Sequence, residues 1–171
     1  MIHIYCGDGK GKTSAAIGLA VRAAGRGRAV LIARFLKSED SGEVLALPKI
    51  PGIRVMPCEK EFGFYFRMTE EQKLEAAEYY SRLFEQACEM ARSRQIDVLI
   101  LDELMAACSY RLVDEAKAAA FLRDCPADLE VVMTGRNPSE QLVGLADYVS
   151  EVVMKKHPYE QGVAAREGIE Y

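Results

Sequence analysis

Three features of the 171-residue sequence predict a three-layer α/β fold with a mainly parallel sheet. Short apolar runs alternate with helix-periodic runs along the chain. Several of the short runs are apolar almost without a break, as strands covered on both faces are. Glycine-rich, acidic and basic segments follow these runs directly, at the carboxyl ends where open α/β sheets hold ligands. Half of the residues are apolar, enough for one core at this length, and no linker, internal repeat or low-complexity segment divides the chain.

Residues 2–6 are β-branched and aromatic and stop at Gly7, which predicts the first strand. Residues 13–24 are alanine-rich and predict a helix with Ile17, Leu19, Ala20 and Val21 on its buried side, ended by Gly25 and Gly27. A second strand over 29–35 completes a βαβ unit. Residues 37–57 turn to Ser, Glu, Asp, Gly and Pro and predict a loop, a short strand at 53–56 and a further loop. Thr69-Glu70-Glu71-Gln72 has capping-box spacing. Leu74, Ala77, Tyr80, Phe84, Ala87, Cys88 and Ala91 then predict a long amphipathic helix to about Arg94 whose stripe is core. Further expectations are a strand over 96–103, a helix over 113–123 and a strand over 129–133. A helix with Pro138 in its first turn reaches Ala146, and a last strand covers 148–154. Residues 155–171 show neither period and read as a frayed terminus.

The chemistry concentrates in Cys6-Gly7-Asp8-Gly9-Lys10-Gly11-Lys12-Thr13. Three glycines let a backbone curl with its N–H groups inward. A lysine and a hydroxyl at a helix start, where amides are unpaired, make that curl a polyphosphate cradle. Gly11-Lys12-Thr13 is the tail of a P-loop, although the leading glycine of the general pattern would fall on Cys6 and arrives one residue late, at Gly7. A ligand-free turn needs neither Lys12 nor Lys10. Asp102 and Glu103 end an apolar strand, the place from which a P-loop protein holds Mg²⁺ against phosphates. Arg136 follows a later strand at the same edge, as a phosphate ligand or a surface charge. The expected architecture is a P-loop NTPase (RecA-like) fold in a single domain over 1–171.

A formal charge of −4 argues against broad nucleic-acid binding. Five scattered cysteines and two histidines support neither a disulfide framework nor a zinc site. With no signal peptide and no run of membrane-spanning length, a reduced cytoplasmic protein without membrane attachment is expected. Phe62, Phe64, Tyr65 and Phe66 crowd around Gly63, and on the residues alone these rings read as a cap on the core.

Beyond the phosphate loop, the chain carries Phe35-Leu36-Lys37, Leu101-Asp102-Glu103-Leu104, Thr134-Gly135-Arg136 and Ala146-Asp147-Tyr148-Val149-Ser150-Glu151. It closes with Lys156-His157-Pro158-Tyr159 through Gly168-Ile169-Glu170-Tyr171. In this order the segments resemble the P-loop corrinoid adenosyltransferases, whose contracted loop has its glycine in the same late position. Asp8 stands where asparagine is usual, and Ser38 where glycine is common. An N-terminal extension that some members fold over the active site is missing, which leaves open what covers the corrinoid and whether a partner subunit supplies the lid.

The resemblance implies attack of reduced Co(I) on the 5′ carbon of ATP, with triphosphate leaving as one unit, in adenosylcobalamin biosynthesis or corrinoid salvage. It implies that Gly7, Asp8, Gly9, Lys10, Gly11, Lys12, Thr13 and Ser14, with Lys37 and Arg136, bind the nucleotide. Thr13 and Glu103 would hold Mg²⁺ with Asp102 in support. Lys12 and Glu103 would act in catalysis, with Phe64 and Phe66 packing on the corrinoid and helping to remove its lower axial ligand. Cobalt is then the nucleophile, which accounts for the absence of a conspicuous Ser, Cys or His beside the loop. An electron-donating reductase, such as a flavoprotein, and a homodimer are further implications. The competing readings are a P-loop ATPase or nucleotide-dependent switch, and a nucleotide-binding module that contacts a partner.

Overall fold

The computed structural model describes residues 1–39 and 41–170. Tyr171, the last residue of the closing motif, lies outside them. Six strands form one sheet: β1 (Ile2–Cys6), β2 (Val30–Arg34), β3 (Ile53–Val55), β4 (Val98–Asp102), β5 (Glu130–Thr134) and β6 (Tyr148–Glu151). Their order is β3-β2-β4-β5-β1-β6 and every neighbouring pair is parallel. The sheet is therefore parallel throughout, and all its carboxyl ends meet at one edge.

Strand alternation sends Leu31, Ala33, Leu99, Leu101, Val131 and Met133 to one face and Val30, Ile32, Val98, Ile100 and Val132 to the other. The first set packs under α3 (Glu70–Arg92), α4 (Leu104–Ser109), α5 (Glu115–Asp124) and α6 (Glu140–Leu145), and the second under α1 (Lys12–Ala24). Each fully buried aliphatic side chain contributes about 1.5–3 kcal/mol. β2 and β4 are buried at every position, so they anchor whatever their ends carry.

Several elements differ from the sequence expectation. α1 buries Ala16, Ala20 and Ala23, while Val21 is 42% exposed and Ile17 and Leu19 are half-buried. Methyl groups let this helix lie close to the sheet, which larger side chains would prevent. The capping box of α3 forms: the Gln72 N–H donates to Thr69 Oγ1 at 3.2 Å and the Thr69 N–H to Gln72 Oε1 at 2.9 Å. Its stripe is shifted, however, with Ala76 and Leu83 buried, Ala77 half-buried and Leu74 74% exposed. The stretch read as loop contains α2 (Gly42–Ala46) and a 3₁₀ turn, Leu47–Lys49, pinned by Leu47 at 2% exposure. α4 was not expected at all. α6 starts at Glu140 with Ser139 as its cap, accepting from the Leu142 N–H at 3.2 Å, so Pro138 precedes the cap rather than opening the helix. β6 ends at Glu151, three residues early. The tail is not frayed: a 3₁₀ turn, Pro158–Gln161, leads it back across the sheet edge to the phosphate loop.

Candidate active site

The loop after β1 owes its shape to the segment that follows β6. A Cβ at Gly7 would lie 2.4 Å from Val152 O, and one at Gly9 2.8 Å from the same atom. The Gly9 N–H donates to Val152 O and the Val152 N–H to Cys6 O, both at 2.8 Å. The late glycine therefore answers a close backbone approach. Gly11 has open space around it and needs glycine for its φ of 120° instead. Asp8 turns outward. Its carboxylate accepts from the Met154 N–H at 2.9 Å, and that hydrogen bond leads the causes that lower its pKa.

On the inner side, Lys12 is 8% exposed and its ammonium donates to Gly9 O at 2.9 Å. Burial lowers its pKa. The Thr13 hydroxyl donates to Asp102 Oδ1 at 2.9 Å, and the Thr134 hydroxyl donates to the same oxygen at 2.6 Å. The Glu103 N–H in turn donates to Thr134 Oγ1 at 2.8 Å. Thr134 is fully buried at the end of β5, the strand that separates β1 from β4, so one hydroxyl ties the two acidic residues together. Sequence reasoning placed Thr134 in a motif without assigning it a role. The available signal was a polar residue closing an otherwise apolar strand.

Leu36, with φ 56°, and Glu103, with φ 62°, sit in the left-handed region at this edge. Each costs of order 1 kcal/mol and aims the next turn of chain at the site. After Leu36, Lys37 brings its ammonium to 2.9 Å from Thr13 Oγ1 and 2.6 Å from Asp102 Oδ2. Asp102 Oδ2 is buried and, among the described residues, has no hydrogen bond of acceptable geometry. The ion contact with Lys37 is made without one. Glu103 begins α4 and lines the cavity, and burial, followed by the neighbouring Asp102 charge, raises its pKa.

These residues open into a cavity of about 870 Å³. Lys10, Gly11, Lys12, Thr13, Ser14, Lys37 and Glu103 share its wall with Phe62, Phe64 and the tail residues Gly168 to Glu170. Gly7, Asp8, Gly9, Asp102, Arg136 and Phe66 do not line it, although the Arg136 charge acts on Lys12, Asp8 and Glu103. The aromatic segment divides. Phe62 packs on Tyr79 and Tyr80 at centroid distances of 5.7 and 5.8 Å, and Tyr65 stacks on Tyr110 at 4.3 Å. Phe64 and Phe66 stack on each other at 5.5 Å and are 66% and 75% exposed. Only the first two cap the core.

A sequence profile of the family described as ATP:corrinoid adenosyltransferase BtuR/CobO/CobP matches residues 1–171. The chain belongs to this family. Corrinoid adenosyltransferases of Escherichia coli strain K12 and Salmonella typhimurium strain LT2 are 30% identical to it over 171 residues and 32% over 173. Both alignments cover 100% of this chain and 85% of the relative. The family consists of transferases that adenosylate corrinoids with ATP in cobalamin biosynthesis or salvage, and this adenosyltransferase is one of them. EssC (ATPases 2 and 3) from Geobacillus thermodenitrificans has a similar fold, with a TM-score of 0.52, 14% identity, and coverage of 99% of this chain and 36% of that one.

An adenosyltransferase that uses ATP implies a divalent cation, and the residues fit one. Thr13, Asp102 and Glu103 offer hard oxygen donors, Asp102 Oδ2 accepts no hydrogen bond among the described residues, and a cation already stands beside it in the form of the Lys37 ammonium. Among the described residues no three His, Cys, Asp or Glu side chains cluster. One hydroxyl and one or two carboxylates, completed by phosphates and water, is the Mg²⁺ pattern. No helix among the described residues is long and apolar enough to cross a membrane.

Proposed function

We propose that this adenosyltransferase moves the 5′-deoxyadenosyl group of ATP to the Co(I) of a reduced corrinoid and releases triphosphate, with the whole chain, 1–171, acting as one domain. The observation that carries this reading is one cavity that joins a phosphate loop to an exposed aromatic, Phe64. The cobalt electron pair attacks C5′, the Co–C bond forms, the C5′–O bond breaks, and its electrons leave on the triphosphate. Cobalt is the nucleophile, so no side chain need remove a proton.

Lys10, Lys12, Ser14 and the amides of the loop grip the triphosphate, Lys37 and Arg136 add positive charge, and the grip holds C5′ in line. Thr13 and Glu103 would hold Mg²⁺ with Asp102 as support, and the bound ion would supply positive charge against the leaving triphosphate. Asp8 contributes from outside, as a clamp on the loop through Met154. Phe64 and Phe66 face solvent as a stacked pair and offer the corrinoid an apolar platform that excludes water. A reductase such as a flavoprotein supplies the electron, a second copy of the chain completes a homodimer, and the reaction takes place in the cytoplasm.

The test is the product of ATP consumption. Triphosphate should appear only with a reduced corrinoid, together with the spectral change of a new cobalt–carbon bond. Phosphate or diphosphate released without a corrinoid would point instead to an ATPase or switch.

A further inference from the structure

Asp102 uses its two oxygens differently. Oδ1 is saturated by the Thr13 and Thr134 hydroxyls, whereas the one ion contact of Oδ2 among the described residues is with the Lys37 ammonium. The same ammonium donates to Thr13 Oγ1, the hydroxyl assigned above to the divalent ion. A monovalent cation on a flexible stem therefore occupies the place the divalent ion needs. The Lys37 side chain is 20% exposed at the cavity wall, while the Asp102 side chain is 3% exposed. Lys37 can swing into the cavity without moving the backbone, and the carboxylate cannot follow. Two cations at contact distance in so poorly solvated a place repel strongly, so they exclude one another.

We propose that Lys37 is a tethered placeholder cation: it keeps free divalent metal off Thr13 and Asp102, and it yields only to a metal–triphosphate complex, whose phosphates draw its ammonium into the cavity. Metal and nucleotide then enter together, and Lys37 passes from counter-ion of Asp102 to counter-ion of the leaving group. The inference rests on the Mg²⁺ reading given above and adds an order of events to it. A purely structural Lys37–Asp102 pair would instead persist with nucleotide bound.

The experiment uses Mn²⁺ as a spectroscopic probe, with free ion counted by electron paramagnetic resonance over the full-length, nucleotide-free chain. Wild type should show only weak binding, and Lys37→Met, of similar length without charge, should bind Mn²⁺ at least about tenfold tighter. With ATP present the order should reverse, because the variant lacks a phosphate cation. Lys37→Arg retains the charge and should stay as weak as wild type without nucleotide. In wild type, the ¹⁵N resonance of the Lys37 ammonium should ignore Mg²⁺ alone and move with Mg²⁺ and ATP, a readout that survives even if Lys37→Met does not fold.

If Lys37→Met or Lys37→Arg departs from this pattern, or the resonance responds to Mg²⁺ alone or to neither addition, the placeholder role is overturned. Asp102→Asn and Thr13→Ala separate that failure from failure of the metal reading. If both leave Mn²⁺–ATP affinity unchanged, no divalent ion binds here and the inference falls with its premise. If they weaken it while Lys37→Met gains nothing, the metal site stands and only the placeholder falls.

Discussion

The Lys10 ammonium lies 2.9 Å from the Glu170 carboxylate, 160 positions further along the chain. Glu170 is held from its other side by Arg166 through its backbone N–H, Nε and Nη2 at 2.8, 3.2 and 3.1 Å. Arg166 first and Lys10 second bring the Glu170 pKa down to about 2. A depressed carboxyl supports the fold above its unfolded pKa and loses that support only as pH falls toward its folded value. The latch is therefore fully formed at any physiological pH. Glu170→Gln should free Lys10 for phosphate and tighten ATP binding about two- to fivefold, the small effect expected of an exposed pair. Calorimetric titration checks this, and unchanged affinity would mean that Lys10 does not reach the nucleotide.

Glu103 should behave in the opposite sense with pH. Its pKa is raised by burial and by Asp102, so the folded state bears a cost for its charge at neutral pH that vanishes as pH drops through the raised value. Glu103→Gln is expected to raise the melting temperature by a few degrees at pH 7–8, with the gain fading toward pH 4, while activity falls at least about tenfold through loss of the proposed metal ligand. Melting curves across pH test the sign. A constant gain would trace it to packing rather than charge.

Thr134→Val keeps the shape of the side chain and removes its hydroxyl. The Glu103 N–H then loses its acceptor and Asp102 Oδ1 one of its two donors. The expected cost is about 1–3 kcal/mol, seen in denaturant unfolding, with a larger fall in kcat than the stability loss alone produces. Thr134→Ser, which restores the hydroxyl, should recover most of both.

Phe66 stacks on Phe64 but does not line the cavity. Phe66→Ala should lower adenosylation of cobalamin much more than that of a corrinoid without a lower base, because the family resemblance implies that the ring pair helps to displace that base. Equal losses on the two substrates would assign Phe66 to general packing.

The sequence made the phosphate loop and the acid-ended strand plain because both are contiguous runs whose spacing has direct chemical meaning. Thr134 was obscure for the opposite reason: its hydroxyl matters only because β5 inserts between β1 and β4, a long-range pairing with no local trace. The face of α1 was misread through hydrophobicity, which ranks Val21 above alanine, whereas close helix–sheet packing favours the smaller group. α4 begins at a left-handed glutamate rather than a Ser or Asp cap, so no start signal announced it. The tail lacks periodicity because ion pairs, not an apolar stripe, hold its end in place. Lys37 gained its place only through the family resemblance, and its contact with Thr13 and Asp102 needed coordinates.

The backing of the phosphate loop by the chain after β6 ties catalysis to an edge of the sheet. β6 is an edge strand, exposed at all four positions, and such edges open first on warming. Elsewhere that fraying is harmless, but here Val152 and Met154 are what Gly9 and Asp8 lean on. ATP affinity should therefore decline below the temperature of global unfolding, and heat inactivation should begin as a local, reversible slackening of the cradle.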